Sequence, residues 1–148
     1  MLRIGNVYAS TQRGDQLLDT SGSKVLMVDD DRLVRRIVVA KLSGLGYDMT
    51  QAEDGQEALR LLEEGFVPDL VVTDSLMPRM TGLELARSIR GSADAEVARL
   101  PIIMLTSRQG EHDVIEGLQT GLDDYVTKPF SPDELAARVR TALWRARR

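Results

Sequence analysis

The sequence contains no cysteine and a single histidine, and these two shortages remove several classes of protein. Without cysteine there can be no disulfide bonds, no thiol catalysis and no cysteine metal sites. His112 alone cannot build a multi-histidine metal centre. No apolar run approaches the roughly 20 residues of a membrane-spanning helix, and residues 1–22 lack the apolar core of a secretory signal. We therefore expect a cytoplasmic protein.

The overall composition is ordinary for a globular domain. The chain has 148 residues, of which 43% are hydrophobic and 28% are charged, and this is enough for one domain with a sizeable core. The net charge of −4 provides no general attraction to nucleic acids or to membranes. We therefore expect neither direct nucleic-acid binding nor membrane association by this domain.

Residues 1–22 differ from the rest of the chain. They are polar, rich in Gly, Ser, Thr, Gln and Asp, and they show no sustained hydrophobic period. Such a segment has too little apolar surface to offset the entropy lost on ordering. The sequence therefore predicts a flexible leader over residues 1–22 and a single domain over residues 23–148.

Short apolar strands and amphipathic helices alternate through the predicted domain. Strands are predicted at residues 25–28, 47–52, 70–73, 101–106 and 125–127, and helices at 34–45, 54–62, 82–90, 111–120 and from 132 to the end. Residues 91–99 are interpreted as a polar connection. Strict alternation predicts a parallel sheet with helices on both of its faces.

Polar side chains that could act chemically follow four of the five predicted strands. Residues 29–31 are three aspartates, and Asp74, Thr106 and Lys128 end the third, fourth and fifth strands. Because the carboxyl ends of parallel strands share one edge of a sheet, these groups should meet there. Clustered carboxylates repel, and both Lys128 and a bound cation would relieve the repulsion. Oxygen ligands alone favour Mg²⁺, so this edge suits a phosphoryl group delivered to a carboxylate.

Each of these residues also has an ordinary explanation when it is taken alone. Aspartates after the first strand can cap the first helix, and Asp31 is expected to do so. Thr106 can be a β-branched strand end, and Lys128 a surface lysine. Their coincidence at corresponding strand ends is what favours a functional site.

Four short motifs connect the chain to a known family. They are Val28-Asp29-Asp30, Val72-Thr73-Asp74 followed by Met77-Pro78, Met104-Leu105-Thr106-Ser107, and Tyr125-Val126-Thr127-Lys128-Pro129-Phe130. Because of the order and spacing of these motifs, residues 24–145 resemble the receiver domains of bacterial two-component response regulators. The resemblance implies a flavodoxin-like, doubly wound sheet of five parallel strands in the order 2-1-3-4-5, with five helices.

The resemblance also implies a phosphoacceptor and its metal site. Asp74 would accept a phosphoryl group from a histidine kinase or a histidine phosphotransfer protein. Asp30 would ligate Mg²⁺ directly, Asp29 would hold it through water, and Asp74 and the backbone carbonyl of Leu76 would be further ligands. Lys128 would pair with the phosphoryl oxygens, and its peptide bond to Pro129 is expected to be cis.

A switch follows from the same resemblance. Thr106 would hydrogen-bond the phosphoryl group and move toward it, and Tyr125 would rotate inward as Thr106 moves. Leu76 and Arg108 occupy positions that tune how fast water attacks the acyl phosphate in this family. The face formed by the fourth helix, fifth strand and fifth helix would then change shape and alter partner binding.

We expect this face to combine apolar contacts with a charged rim. Its predicted residues are Val114, Ile115, Leu118, Asp123, Asp124, Ala136, Arg138 and Arg145. The charged set, with Glu134, resembles that used for dimerisation in winged-helix regulators, but Val114 replaces the usual basic residue. We therefore expect at most a weak, phosphorylation-dependent association with a second copy of the chain. The other expected partners are an output domain or a downstream effector protein.

Two other interpretations remain open from the residues alone. One is a phosphatase of the haloacid dehalogenase type that uses Asp29 and Asp31; against it, Leu33 stands where such enzymes have Thr or Val, and no cap-domain segment follows. The other is a receiver-like scaffold that is never phosphorylated. In the main interpretation the protein is not an enzyme with a separate substrate, and its chemistry is limited to self-phosphorylation and self-dephosphorylation.

Overall fold

The computed structural model describes residues 19–107 and 120–147, which contain a five-stranded sheet. The strands are β1 (Lys24–Val28), β2 (Asp48–Ala52), β3 (Leu70–Asp74), β4 (Ile102–Thr106) and β5 (Asp124–Thr127). All neighbouring strands are parallel, and their order is β2-β1-β3-β4-β5. The predicted doubly wound fold class and strand order are confirmed.

Five helices surround the sheet within the described ranges: α1 (Arg32–Gly44), α2 (Gly55–Glu63), α3 (Gly82–Arg90), α4 (Ala95–Ala98) and α5 (Pro132–Ala146). Each begins after a side chain that accepts a backbone N–H; the cap residues are Asp31, Asp54, Thr81, Asp94 and Ser131. None of these helices has the length and apolarity that crossing a membrane would require. The predicted helix at 111–120 lies outside the described residues except for Thr120.

The helix α4 was not predicted from the sequence. It lies in residues 91–99, which the sequence presents as a polar connection, and it is a single turn capped by Asp94. Its one buried apolar residue is Val97, which packs with the core on that face of the sheet. One apolar residue has no period, so sequence periodicity could not reveal this turn.

The core lies in two layers, one on each face of the sheet. Alternate residues of β1 contribute to opposite layers, with Val25 and Met27 on one side and Leu26 and Val28 on the other. The first layer is completed by α1 and α5, and the second by α2 and α3. Strands β3 and β4 are buried along their whole length, which fixes the positions of the residues at their ends.

Residues 19–22 pack on the domain, although the predicted flexible leader includes them. Thr20 is 2% exposed, and its hydroxyl shares a hydrogen bond with the Tyr47 hydroxyl. Gly22 donates its N–H to the carbonyl of Gly46, and Arg147 donates to the carbonyl of Asp19. Contacts with the domain therefore include residues on the leader side of the predicted boundary. These contacts are polar, so they leave no hydrophobic signature in the sequence.

Two truncations separate the contacting residues from the rest of the leader. Deleting residues 1–18 is expected to leave the free energy of unfolding nearly unchanged, because their composition offers little to bury. Deleting residues 1–22 should lower it by about 1–3 kcal/mol, because the buried Tyr47 hydroxyl loses its partner. Urea denaturation of the two shortened chains, with Thr20→Val in the full chain as the control for the hydrogen bond, measures both effects. Equal stability of the two truncated proteins would contradict this account.

Candidate functional site

Three carboxylates meet at the carboxyl edge of the sheet. Asp29 and Asp30 follow β1, and Asp74 is the last residue of β3. One oxygen of each lies within 4.8 Å of the others. Asp29 is 0% exposed and Asp74 is 7% exposed, whereas Asp30 is open to solvent. The structure therefore brings together the acids that the sequence places at separate strand ends.

Asp29 is held in place by its backbone and by its side chain. Its N–H donates to the carbonyl of Ala52 on β2, and its Oδ1 accepts from the N–H of Asp31 at 2.8 Å. Arg35, which is 8% exposed, donates from Nη1 to the Asp29 carbonyl at 2.7 Å and from Nε to Gln51. Arg35 was missed in the sequence; its place on the buried face of α1, in line with apolar residues, is the signal that could have found it.

Asp74 is fixed through one of its carboxylate oxygens. Its Oδ1 accepts from the Ser75 N–H at 2.9 Å and from Lys128 Nζ at 2.9 Å. The Ser75 N–H also lies 2.9 Å from the carbonyl of Leu105 on β4. The carboxylate is therefore aligned by the turn that follows β3 and by the neighbouring strand.

Lys128 joins the two buried acids. Its Nζ is 2.9 Å from Asp74 Oδ1 and 3.7 Å from Asp29 Oδ2. Burial acts to lower the pKa of Lys128, but the hydrogen bond to Asp74 and the charge of Asp29 outweigh it, so the pKa is raised. The side chain is therefore a cation at neutral pH. Its peptide bond to Pro129 is cis, as expected.

The arrangement suits a divalent cation. Burial raises the pKa of Asp29 to about 6; the Asp31 N–H works in the opposite direction, and the neighbouring Asp74 carboxylate adds to the increase. Among the described residues, Asp29 Oδ2 is buried and receives no hydrogen bond. Within the described ranges, this oxygen has only the Lys128 ammonium, at 3.7 Å, as a nearby positive charge, so the three carboxylates are only partly neutralised. An all-oxygen donor set of this kind fits Mg²⁺.

Thr106 lies on β4, which pairs with the strand of Asp74, and Tyr125 lies on β5, the next strand along the sheet. Thr106 ends β4 at 3% exposure, and its carbonyl accepts the backbone N–H of Lys128 at 2.7 Å. Thr106 and Lys128 are therefore joined directly through the backbone at the edge of the sheet. Tyr125 is half-buried on β5, opposite Met104 in the register.

The remaining predicted residues fall into three groups. Leu76 is 51% exposed on the loop that follows Asp74. Asp31 accepts the N–H groups of Leu33 and Val34, so it caps α1 as expected. Val114, Ile115, Leu118, Arg108 and His112 lie outside the described residues.

Several charged residues of the predicted rim form ion pairs or hydrogen bonds within the chain. Arg138 Nη1 contacts both carboxylate oxygens of Asp124, at 3.0 and 2.9 Å. Asp123 Oδ2 accepts the Ile102 N–H at 2.7 Å and pairs with Arg90 at 3.2 Å. Arg145 is exposed.

The prediction that Ala136 contributes to an apolar partner surface is not supported. Ala136 is 7% exposed and belongs to the core layer shared by α1 and α5. The apolar stripe of α5 is wide enough that both Leu135 and Ala136 turn inward.

Comparisons with known proteins agree with this fold. A family model described as the response regulator receiver domain matches residues 25–140. The probable transcriptional regulator ycf27 of Porphyridium aerugineum is 44% identical over 122 residues, covering 82% of this chain and 48% of that protein. The chain spans about half the length of the curated relatives it matches.

Two solved structures are similar throughout the domain. Chemotaxis response regulator CheY4 of Vibrio cholerae has a TM-score of 0.75 and 32% identity, covering 82% of this chain and 99% of that one. The receiver domain of sensor histidine kinase PA1611 from Pseudomonas aeruginosa, solved with a magnesium ion coordinated in the active site cleft, has a TM-score of 0.73 and 32% identity over 83% and 98% of the two chains. The chain belongs to the family of response regulator receiver domains of two-component systems.

Proposed function

We propose that this domain is a phosphorylation-operated switch in a two-component phosphorelay. Asp74 accepts the phosphoryl group from a histidine kinase or a histidine phosphotransfer protein. The observation that carries the proposal is the setting of the Asp74 carboxylate, 2.9 Å from Lys128 Nζ and clustered with Asp29 and Asp30. A turn-forming aspartate would need neither the lysine nor the two neighbouring acids.

The transfer balances as a displacement at phosphorus. A carboxylate oxygen of Asp74 forms a bond to phosphorus while the P–N bond of the donor phosphohistidine breaks, and the electron pair leaves with the imidazole. Both hydrogen bonds that the described residues donate to this carboxylate go to Oδ1, so we assign Oδ2 to the new bond. Lys128 then pairs with a phosphoryl oxygen, since its ammonium is already within reach of the site.

Asp29, Asp30, Asp74 and the carbonyl of Leu76 would hold Mg²⁺. When bound, the ion neutralises the negative charge of the acids and of the phosphoryl oxygens. The orphaned oxygen of Asp29 and the magnesium in the active site cleft of the PA1611 receiver domain support this assignment. The protein's own part is to keep the carboxylates close together, which it does through strand positions and through Arg35.

The switch works through the two strands beyond Asp74. The new charge draws the Thr106 hydroxyl and the Lys128 ammonium, and the backbone hydrogen bond between these residues makes them move together. Tyr125 follows on β5, and α5 begins just after Lys128. The face that carries Asp123, Asp124, Arg138 and Arg145, with Val114, Ile115 and Leu118, then changes its affinity for a second copy, an output domain or an effector.

Acetyl phosphate and Mg²⁺ test the proposal directly. The intact protein should gain the mass of one phosphoryl group, and borohydride reduction followed by peptide mapping should place it on Asp74. With beryllofluoride instead, amide exchange should change across β5 and the start of α5. Phosphate found on Asp29 would favour a phosphatase, and the absence of any modification would favour a scaffold.

Asp30→Asn tests the metal assignment. Because one anionic ligand is lost, Mg²⁺ affinity should fall by at least about tenfold, and the phosphorylation rate should fall with it. Asp31→Asn is the matched control, since it removes the same charge one residue away while asparagine remains a good helix cap. Mg²⁺ titration measures the affinity of both variants. Equal losses of affinity would mean that the effect comes from the general loss of negative charge and not from ligation of the ion by Asp30.

A further inference from the structure

A contact between two loops borders the acidic site and has no part in the chemistry described above. Two consecutive residues after β3, Arg79 and Met80, meet two consecutive residues at the start of α2, Asp54 and Gly55. Arg79 Nη2 lies 2.7 Å from Asp54 Oδ2. Met80 covers Gly55 so closely that a Cβ added to this glycine would lie 2.7 Å from the Met80 sulfur.

The backbone at Arg79 is unusual. Its φ is +69°, and within the described ranges it is the one residue other than glycine with a positive φ. Glycine adopts this conformation without cost, whereas an L side chain does not. The arginine therefore carries a cost in backbone energy, and its ion pair with Asp54 works against this cost.

Asp54 divides its two oxygens between two tasks. Oδ1 caps α2 by accepting the Glu57 N–H at 2.8 Å, and Oδ2 accepts from Arg79. The hydrogen bond from the Glu57 N–H, followed by that from Arg79, lowers the pKa of Asp54, so this carboxylate is charged at neutral pH. The guanidinium is thus tied to a group that the helix already holds rigidly.

The tied loop is the one that carries Leu76. At its start, Ser75 is fixed to Asp74 and Leu105, and Gly82 at its end donates to the Ser75 carbonyl. Arg79 supplies a fixed point between these two ends, on the side of the loop that faces α2. Asp30 lines the same surface depression as Asp54 and Arg79, so the pair borders the proposed metal site.

We propose that Arg79 and Asp54 form a latch that positions the loop carrying Leu76 against the carboxylates of Asp29 and Asp30. They are positioning residues, since neither contacts the reacting atoms. The inference rests on the proposed phosphoacceptor function, and it adds to that function a second point at which the geometry of the cation site is set.

The test combines single and double variants with two measurements. Arg79→Gln and Asp54→Asn each remove the ion pair, and asparagine keeps the cap of α2. Each single variant should weaken Mg²⁺ binding about two- to fivefold. Binding is measured from the NMR shifts of the amides at residues 29–31 and 75 during a Mg²⁺ titration. The double variant should be no weaker than either single variant, because both changes break the same contact.

Two further variants separate positioning from stability. Arg79→Gly relieves the backbone, so it should keep the thermal stability of the parent protein while still weakening Mg²⁺ binding. Arg79→Lys should restore part of the affinity. Lys41→Gln breaks another surface ion pair, with Asp133 on α5, and should leave Mg²⁺ binding unchanged.

Amide hydrogen exchange, measured without metal, tests whether the latch restrains the loop, and this test does not depend on the proposed function. Exchange at residues 75–81 should accelerate in Arg79→Gln and Asp54→Asn, and not in Lys41→Gln. Unchanged exchange in this segment, or losses of Mg²⁺ affinity that simply add in the double variant, would overturn the proposal. A parent protein that neither binds Mg²⁺ nor accepts phosphate would instead overturn the proposed function, while the exchange result would still stand.

Discussion

Replacing Asp74 with asparagine is expected to reduce phosphorylation by acetyl phosphate or by a phosphohistidine donor to the level seen without Mg²⁺. The amide is neutral and is a far weaker nucleophile than a carboxylate, so the bond to phosphorus cannot form. The fold should survive, because an amide oxygen can still accept from Ser75 and Lys128. The charge removed also lies beside Asp29 and Asp30, so stability should be retained or slightly increased.

Intact-protein mass spectrometry and thermal unfolding measure these two outcomes together. Asp31→Asn should be phosphorylated much like the parent, since the Asp31 carboxylate caps α1 and asparagine is also a good cap. An Asp74→Asn protein that still gains one phosphoryl group, mapped to Asp29, would show that the acceptor has been misassigned. Loss of both phosphorylation and folding would indicate instead that the charge on Asp74 is structural.

Local signals explain why so much of the fold was predictable. The helix starts at Asp31, Thr81 and Ser131 depend on a side chain and an N–H at most three residues away, and all three caps are present. The apolar runs of β3 and β4 are equally local, and alternation with helices determines that the sheet is parallel. Once the sheet is parallel, Asp29, Asp74 and Lys128 must share an edge.

Contacts that connect distant residues through polar groups were not predictable. Arg35 reaches a backbone carbonyl, Thr20 meets Tyr47 across 27 residues of chain, and Arg79 pairs with Asp54. Such contacts depend on the direction in which a side chain leaves the backbone, which no hydrophobic period encodes. The residues that make these contacts also belong to none of the sequence motifs described above.

The charged rim illustrates a second limit. Asp124 and Arg138 are complementary in the sequence whether they pair within one chain or between two copies. The structure pairs them within the chain, at 2.9 Å. A dimer would have to exchange these contacts rather than add new ones, which agrees with the expectation of weak association.

Gly82 is where a single methyl group is expected to have the largest structural effect. It is the first residue of α3, and a Cβ there would lie 2.3 Å from the carbonyl oxygen of Asp74 and 3.1 Å from the Ser75 Cα. Both neighbours are backbone atoms, so no side-chain rotation can relieve the contact. The glycine itself is also held, since its N–H donates to the Ser75 carbonyl at 2.9 Å and Thr81 before it forms a capping box with Glu84.

Gly82→Ala should therefore lower the free energy of unfolding by about 1–3 kcal/mol or more, and the displaced Asp74 should accept phosphate more slowly. Gly44→Ala is the matched control, because nothing lies within 4 Å of its added Cβ at the end of α1. That variant should gain up to about 1 kcal/mol, since alanine loses less backbone entropy than glycine in a helix. Urea denaturation compares the two substitutions. A Gly82→Ala protein as stable as Gly44→Ala would mean that α3 can move away from β3, and that the turn after Asp74 is not the fixed support on which the proposed site depends.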